Sequence, residues 1–312
     1  MKHLLTLRDT SAEEIQNLLE LGAAFQEVIN RPVKKVPTLR GKAMITLFYE
    51  NSTRTRTSFE MAAKVMSAEA INIAVAQSSV AKGESLKDTV LTLQALKADC
   101  IVMRHSISGA PMFASQRLGI PVVNAGDGRH EHPTQGLLDM LTIKQAKKGL
   151  AGLNVAIVGD ITHSRVARSN VWGLTKMGVN VRLVGPRTLM PADAHLMPVK
   201  VYDNLQAGLD GVDVVNVLRL QTERMDKGLL PTLREYSRLF GISQKSLKFA
   251  DKDVLVLHPG PMNRGVEISA DVADGAFGIN SAVETQISNG VAVRMAVLYT
   301  LMGGSGSPST EA

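Results

Sequence analysis

Seven short apolar runs, each of strand length and separated by helical patterns, constrain this chain more than any other feature. They occupy residues 43–49, 100–103, 121–123, 155–158, 181–184, 212–218 and 254–257. Runs that are apolar on both faces have no solvated side, so helices must cover both; alternation with helices reads as a buried parallel sheet. The predicted class is α/β with two doubly wound parallel-sheet domains. The 312 residues also exceed what one hydrophobic core usually serves.

Helix signals set the domain limits. Thr10-Ser11 stand before Glu13-Glu14 in a capping-box pattern, with Ile15, Leu18, Leu19, Phe25, Val28 and Ile29 at helical spacing and Pro32 and Pro37 beyond. A basic, glycine-containing stretch at 147–152 follows a helix starting at Pro133 and predicts a boundary. Ser281-Ala282-Val283-Glu284 reads as a second capping box, opening a helix to about Met302. The predicted domains are residues 1–148, completed by the helix 281–302, and residues 149–280. Residues 303–312 have the composition of a flexible tail.

Almost every apolar run ends in a polar cluster. Run 43–49 leads to Glu50-Asn51-Ser52-Thr53-Arg54-Thr55-Arg56, and 155–158 leads to Gly159-Asp160-Ile161-Thr162-His163-Ser164-Arg165. Open parallel sheets bind ligands beyond the carboxyl ends of their strands. The same placement in both domains predicts one active site in the cleft between two sheets. In the first cluster Ser52 or Thr53 can cap a helix whose apolar face is Phe59, Ala62, Ala63 and Met66. The helix start offers backbone N–H groups to an anion. With the hydroxyls of Ser52, Thr53 and Thr55 and the Arg54 fork, it suits a phosphate dianion.

Composition narrows the partners. The net charge is +6, but with seven Phe, four Tyr, one Trp and no run of four basic residues the chain does not read as a nucleic-acid binder. Its apolar runs fall far short of the roughly 20 residues that span a membrane. One cysteine and an N-terminus without a secretory pattern predict a cytoplasmic protein. No phosphate-binding G-x-x-x-x-G-K-[ST] occurs, and Val158-Gly159-Asp160-Ile161-Thr162 fails the dinucleotide fingerprint at its second glycine, so no nucleotide cofactor is expected. His130-Glu131-His132 is one short pair without further ligands, and no metal is expected. Cys100 heads an apolar run and reads as core.

Ser52-Thr53-Arg54-Thr55-Arg56 resembles the carbamoyl-phosphate signature of the aspartate and ornithine carbamoyltransferases, and His132-Pro133-Thr134-Gln135 is similar to their second motif. Lys82-Gly83-Glu84, Arg104-His105 and His258-Pro259-Gly260-Pro261 follow in family order, so the resemblance runs from Thr6 to Leu301. Arg219-Leu220-Gln221 resembles the element that aspartate-specific members use for the second substrate; the S-M-G and H-C-L-P elements of ornithine-specific members are missing. Gly260 departs from relatives that carry leucine or alanine between the prolines, at a position whose implied role is a backbone carbonyl.

The resemblance implies transfer of the carbamoyl group of carbamoyl phosphate to the amine of L-aspartate, through a tetrahedral intermediate, in pyrimidine biosynthesis. By the same resemblance Ser52, Thr53, Arg54 and Thr55 hold the phosphate, while Arg104, His132 and Thr55 bond the carbonyl oxygen. Gln135 and the carbonyls of Gly260 and Pro261 take the carbamoyl NH2. Arg165, Arg219 and Gln221 clamp the aspartate carboxylates. Lys82 touches both substrates and, with Ser78, reaches a neighbouring subunit's site in a homotrimer. Glu50 braces Arg165 and Arg224 on domain closure; from the residues alone, Arg165 could instead pair with Asp160. Association with regulatory chains or a dihydroorotase is left open. The alternatives are a carbamoyltransferase for another amino acid such as ornithine, or a non-catalytic anion-binding scaffold subunit.

Overall fold

The computed structural model describes residues 1–74, 83–221, 228–230 and 232–303. The chain divides into two units, Met1–Leu137 with Ser288–Ala312, and Leu138–Ile287. The divisions fall inside the helices Pro133–Lys147 and Val283–Met302.

The first unit holds a four-stranded sheet of β1 (Ala43–Phe48), β2 (Glu69–Ala74), β3 (Cys100–His105) and β4 (Val122–Asp127), in the order β2-β1-β3-β4. The second holds six strands: β5 (Asn154–Val158), β6 (Asn180–Val184), β7 (Lys200–Tyr202), β8 (Val214–Val217), β9 (Leu255–Leu257) and β10 (Asn280–Ser281). Their order is β10-β9-β8-β5-β6-β7. Every pairing in both sheets is parallel.

Every predicted run overlaps a strand. The three strands without an apolar run, β2, β7 and β10, all lie at sheet edges, where a side chain need not be buried on two faces. The remaining edge, β4, is buried throughout because the N-terminal segment lies along it: Leu4 N–H donates to Val122 O at 3.0 Å and Asn124 N–H to Leu4 O at 2.8 Å. Ile45, Leu47, Ile101 and Met103 pack with Val90, Leu93 and Val122 in the first unit's core. Each such side chain contributes about 1.5–3 kcal/mol on burial. Val158, Val184, Val215, Val217 and Val256 form the corresponding core of the second unit. Cys100 is fully buried, and burial pushes its thiol up to about 12, so it is core.

The helix Ala12–Ile29 carries the Ser11/Glu14 capping box. The second expected box does not form. Ser281 ends β10 and its hydroxyl donates to Ala273 O at 2.9 Å, while the helix Val283–Met302 starts on the bond from Gln286 N–H to Ala282 O. Among the described residues no helix is long and apolar enough to cross a membrane.

Candidate active site

Each sheet reverses its winding once. In the first unit the chain goes from β1 to β2 on one side, then crosses to β3 and β4 on the other, which places the switch point between β1 and β3. In the second, β6 and β7 lie on one side of β5 and β8, β9 and β10 on the other, with the switch point between β5 and β8. The helices that follow the strands part there, leaving a crevice at the carboxyl ends.

At the first switch point Tyr49 N–H donates to Arg104 O at 2.9 Å, extending the β1–β3 ladder by one rung. Beyond it Arg104 Nε lies 3.3 Å from Glu50 Oε2, and Arg104 Nη1 donates to Ala125 O at 3.3 Å. Glu50 and the Ala125 carbonyl therefore orient the guanidinium. The helix Thr53–Val65 begins directly after β1. Ser52 occupies its N-cap position, but its hydroxyl makes no capping bond to the helix, so the expected cap is one of position only. Thr55 is buried, while Thr53 and Arg54 are exposed. A helix start whose cap hydroxyl is not spent on its own backbone is matched to an anion. Arg56 points elsewhere, 3.8 Å from Glu60 one turn on.

The β4 exit carries the second group. His132 and Gln135 are buried at the start of the helix Pro133–Lys147, where the His132 carbonyl accepts the Gln135 and Gly136 N–H groups. Buried Asp127 organises the approach. It accepts bonds from Gly109 N–H at 2.7 Å, Asn124 Nδ2 at 2.8 Å and Glu131 N–H at 3.1 Å, with His130 Nδ1 at 3.0 Å. Burial alone would raise its pKa; the bonds from His130, Gly109 and Asn124 outweigh that and hold it below the usual carboxylate value. Glu131 accepts the N–H groups of Leu7 at 2.7 Å and Arg8 at 3.2 Å. Both groups of the His130-Glu131 pair are thus engaged in structural contacts. Among the described residues no three His, Cys, Asp or Glu side chains gather as a metal site.

In the second unit, Gly159 follows β5 with φ +131°, a conformation that L side chains rarely adopt; a Cβ there would lie 3.1 Å from the Tyr236 hydroxyl and 3.2 Å from Leu218 Cβ. Asp160 pairs with His163, Nδ1 to Oδ1 at 2.8 Å, rather than with Arg165. Burial raises the Asp160 pKa and the His163 contacts pull it back only in part. The Ser164 hydroxyl caps the helix Arg165–Lys176 by accepting Ala167 N–H at 3.1 Å, and Arg165 at the helix start is 4% exposed. Across the switch point Leu218 N–H donates to Val158 O at 2.8 Å and Gln221 Nε2 to His163 O at 3.1 Å. Arg165, Arg219 and Gln221 therefore belong to the exits of adjacent strands. Gly260 and Pro261 follow β9 in the same unit, joined by a cis peptide bond.

Of the expected site residues, Ser52, Thr53, Arg54, Thr55, Arg104, His132 and Gln135 stand at strand exits of the first unit, and Arg165, Arg219, Gln221, Gly260 and Pro261 at those of the second. Ser78, Lys82 and Arg224 lie outside the described residues. Glu50 stands beside Arg104 within the first unit. The organising roles of Asp127 and Asp160 carry no motif in the sequence, although Asp127 ends a strand and Asp160 follows one, the positions that mark the other candidate groups.

Comparison with known proteins identifies the family of the sequence and of the fold. Residues 2–145 match the family described as aspartate/ornithine carbamoyltransferase, carbamoyl-P binding domain, and residues 151–301 the companion Asp/Orn binding domain. The aspartate carbamoyltransferase catalytic subunit of Heliobacterium modesticaldum is 60% identical over 306 residues, covering 98% of this chain and 97% of its own. That of Desulforamulus reducens is 58% identical, with 97% and 96% covered. Among solved structures, aspartate transcarbamoylase from Trypanosoma cruzi in complex with carbamoyl phosphate superposes with a TM-score of 0.89 at 30% identity, covering 96% of each chain. Ornithine carbamoyltransferase from Pyrococcus furiosus gives a TM-score of 0.86 at 27% identity, covering 98% of each. By its sequence over nearly its whole length and by the fold of both units, the chain belongs to the aspartate/ornithine carbamoyltransferase family.

Proposed function

We propose that this chain transfers the carbamoyl group of carbamoyl phosphate to the amine of L-aspartate, giving N-carbamoyl-L-aspartate and phosphate for pyrimidine biosynthesis. The observation that carries this reading is the charge placement at the two switch points. One has hydroxyls and a guanidinium at a helix start, the complement of a phosphate. The other has Arg165, Arg219 and Gln221, the complement of a small dicarboxylate. A cationic acceptor such as ornithine would find two guanidinium groups where it needs acids.

In this reading residues 1–148 with 281–302 bind carbamoyl phosphate and residues 149–280 bind aspartate. Ser52, Thr53, Arg54 and Thr55 take the phosphate. Arg104, His132 and Thr55 donate to the carbonyl oxygen, most strongly as it becomes an oxyanion. Gln135 and the carbonyls of Gly260 and Pro261 accept from the carbamoyl NH2. The neutral aspartate amine attacks the carbonyl carbon, the C–O bond to phosphate breaks, and the proton that the nitrogen gives up is taken by the departing phosphate. No covalent enzyme intermediate or cofactor enters this scheme, so the rate comes from orientation and preorganised charge. Lys82 and Ser78 complete the site from a neighbouring copy in a homotrimer, and the protein works in the cytoplasm. Support comes from the relatives at 60% and 58% identity, which are aspartate carbamoyltransferase catalytic subunits.

The test is carbamoylation of each amino acid in turn with carbamoyl phosphate as donor. Aspartate is the expected acceptor. A preference for ornithine, or carbamoyl phosphate binding without turnover under any condition, overturns the reading.

A further inference from the structure

His258, directly after β9, is fixed on every side. It is buried, and its ring Nδ1 accepts the Gly260 N–H at 2.8 Å. A backbone amide only donates, so Nδ1 carries the lone pair and the ring proton sits on Nε2. That nitrogen lies 3.3 Å from Oε1 of Glu267, whose side chain is fully buried. The same Glu267 oxygen accepts Asn263 N–H at 2.5 Å, tying the ring to the far end of the loop. On the main-chain side, His258 N–H donates to Gln286 Oε1 at 2.8 Å, and Gln286 Nε2 donates to Asp139 Oδ1 at 2.7 Å. Asp139 Oδ2 in turn accepts from Asn170 at 2.7 Å and Asn216 at 3.3 Å. Gly260 itself has φ +58°, a left-handed conformation that glycine adopts without a Cβ penalty. The loop therefore has a residue that can turn and a ring that stops it turning.

We infer that His258 is a positioning residue. As the neutral Nε2–H tautomer it holds the Gly260 amide, and through it aims the Gly260 and Pro261 carbonyls that accept from the carbamoyl NH2. This rests on the proposed assignment of those two carbonyls. Because carbonyl oxygens reward N–H donors and not a methyl group, His258 sets how far the site prefers carbamoyl phosphate over acetyl phosphate. The two ligands share the phosphate and the carbonyl and differ only in NH2 against CH3.

The experiment uses the full chain and two substitutions. In His258→Asn the side-chain oxygen takes the place of Nδ1 and still accepts the Gly260 N–H. In His258→Gln the longer amide reaches Glu267 but leaves that N–H without its acceptor. Binding of carbamoyl phosphate, acetyl phosphate and inorganic phosphate is measured by calorimetry, with thermal unfolding in parallel. His258→Gln is expected to weaken carbamoyl phosphate about tenfold, the effect of one lost hydrogen bond, with acetyl phosphate and inorganic phosphate unchanged. His258→Asn restores the preference. Equal weakening of all three ligands by His258→Gln, no weakening at all, or failure of His258→Asn to restore it, overturns the role of His258. A parent chain that binds acetyl phosphate as tightly as carbamoyl phosphate overturns the carbonyl assignment instead. Independently of any variant, nitrogen NMR of the parent reads the ring directly: a bare Nδ1 with a protonated Nε2 is expected, and the opposite tautomer or a doubly protonated ring refutes the inference.

Discussion

Replacing Arg104 by alanine separates what this residue does for the fold from what it does for the reaction. Its side chain is 14% exposed and that of Glu50 20%, so the ion pair is partly solvated and worth about 0–1 kcal/mol. The bond from Nη1 to Ala125 O adds about 0.5–1.5 kcal/mol. The stability cost is therefore about 0.5–2.5 kcal/mol, each kcal/mol lowering Tm by roughly 2–4 °C for a unit of this size. In catalysis the same guanidinium is the proposed donor to the developing oxyanion, and removing such a donor costs about 3–4 kcal/mol, a factor of roughly 10²–10³ in kcat. The catalytic loss should thus exceed the folding loss. Lysine at the position keeps a charge but not the planar fork, and should recover only part of the rate. Initial rates with both substrates saturating, alongside thermal unfolding, decide the matter. An unchanged kcat with a raised KM alone, or a collapse of Tm that accounts for the lost activity, would refute the reasoning.

Other expectations are as direct. Arg219→Ala should lower kcat/KM for aspartate by about 10–150-fold, the loss of a charged hydrogen-bonded contact of about 1.5–3 kcal/mol, with carbamoyl phosphate affinity unchanged; titrations of each substrate check it. Glu131→Ala leaves the Leu7 and Arg8 N–H groups without their carboxylate. At about 1–3 kcal/mol each it should cost about 2–6 kcal/mol in urea unfolding, and Glu131→Gln less. Burial lowers the pKa of His105, with Glu50 and Asp127 offsetting it only in part. The unfolded chain therefore takes up that proton first as pH falls below about 6.5, and stability is lost from there down to the folded-state pKa. His105→Asn should flatten that decline, and an identical pH dependence in the two proteins would show the ring is not responsible. Asp127 acts lower: its depressed pKa stabilises above about 3.8 and the contribution disappears as pH falls through the folded value. Mixing chains bearing Lys82→Ala with chains bearing Arg54→Ala should restore activity by forming some intact shared sites; activity no higher than that of either variant alone argues against sharing.

What the sequence reveals follows from where strands sit. Interior strands such as β1, β5 and β8 must be apolar on both faces and were legible for that reason. The sequence EAINIA of β2 and KVY of β7 carry no such run because a sheet edge leaves side chains in solvent. The candidate site was legible because its groups follow apolar runs, so Ser52, Arg104, Arg165 and Arg219 stand out against the apolar residues before them. Pairing was not legible. Asp160 chooses His163 three residues on, and Glu50 lies beside Arg104 only because β1 and β3 are neighbours. Ser281 misled for a similar reason: its spacing to Glu284 matches a cap, but pairing with β9 takes that residue into a strand first.

Glu131 grips Leu7 across 124 positions of sequence, and Leu4 closes along β4 over a comparable span. During synthesis residues 4–8 therefore emerge long before their docking partners exist and must wait, tethered but unattached, until residues 122–131 have left the ribosome. A segment made early thus settles late, so a change that hinders the docking of residues 4–8 would interfere with this late clasp rather than with the earliest folding events.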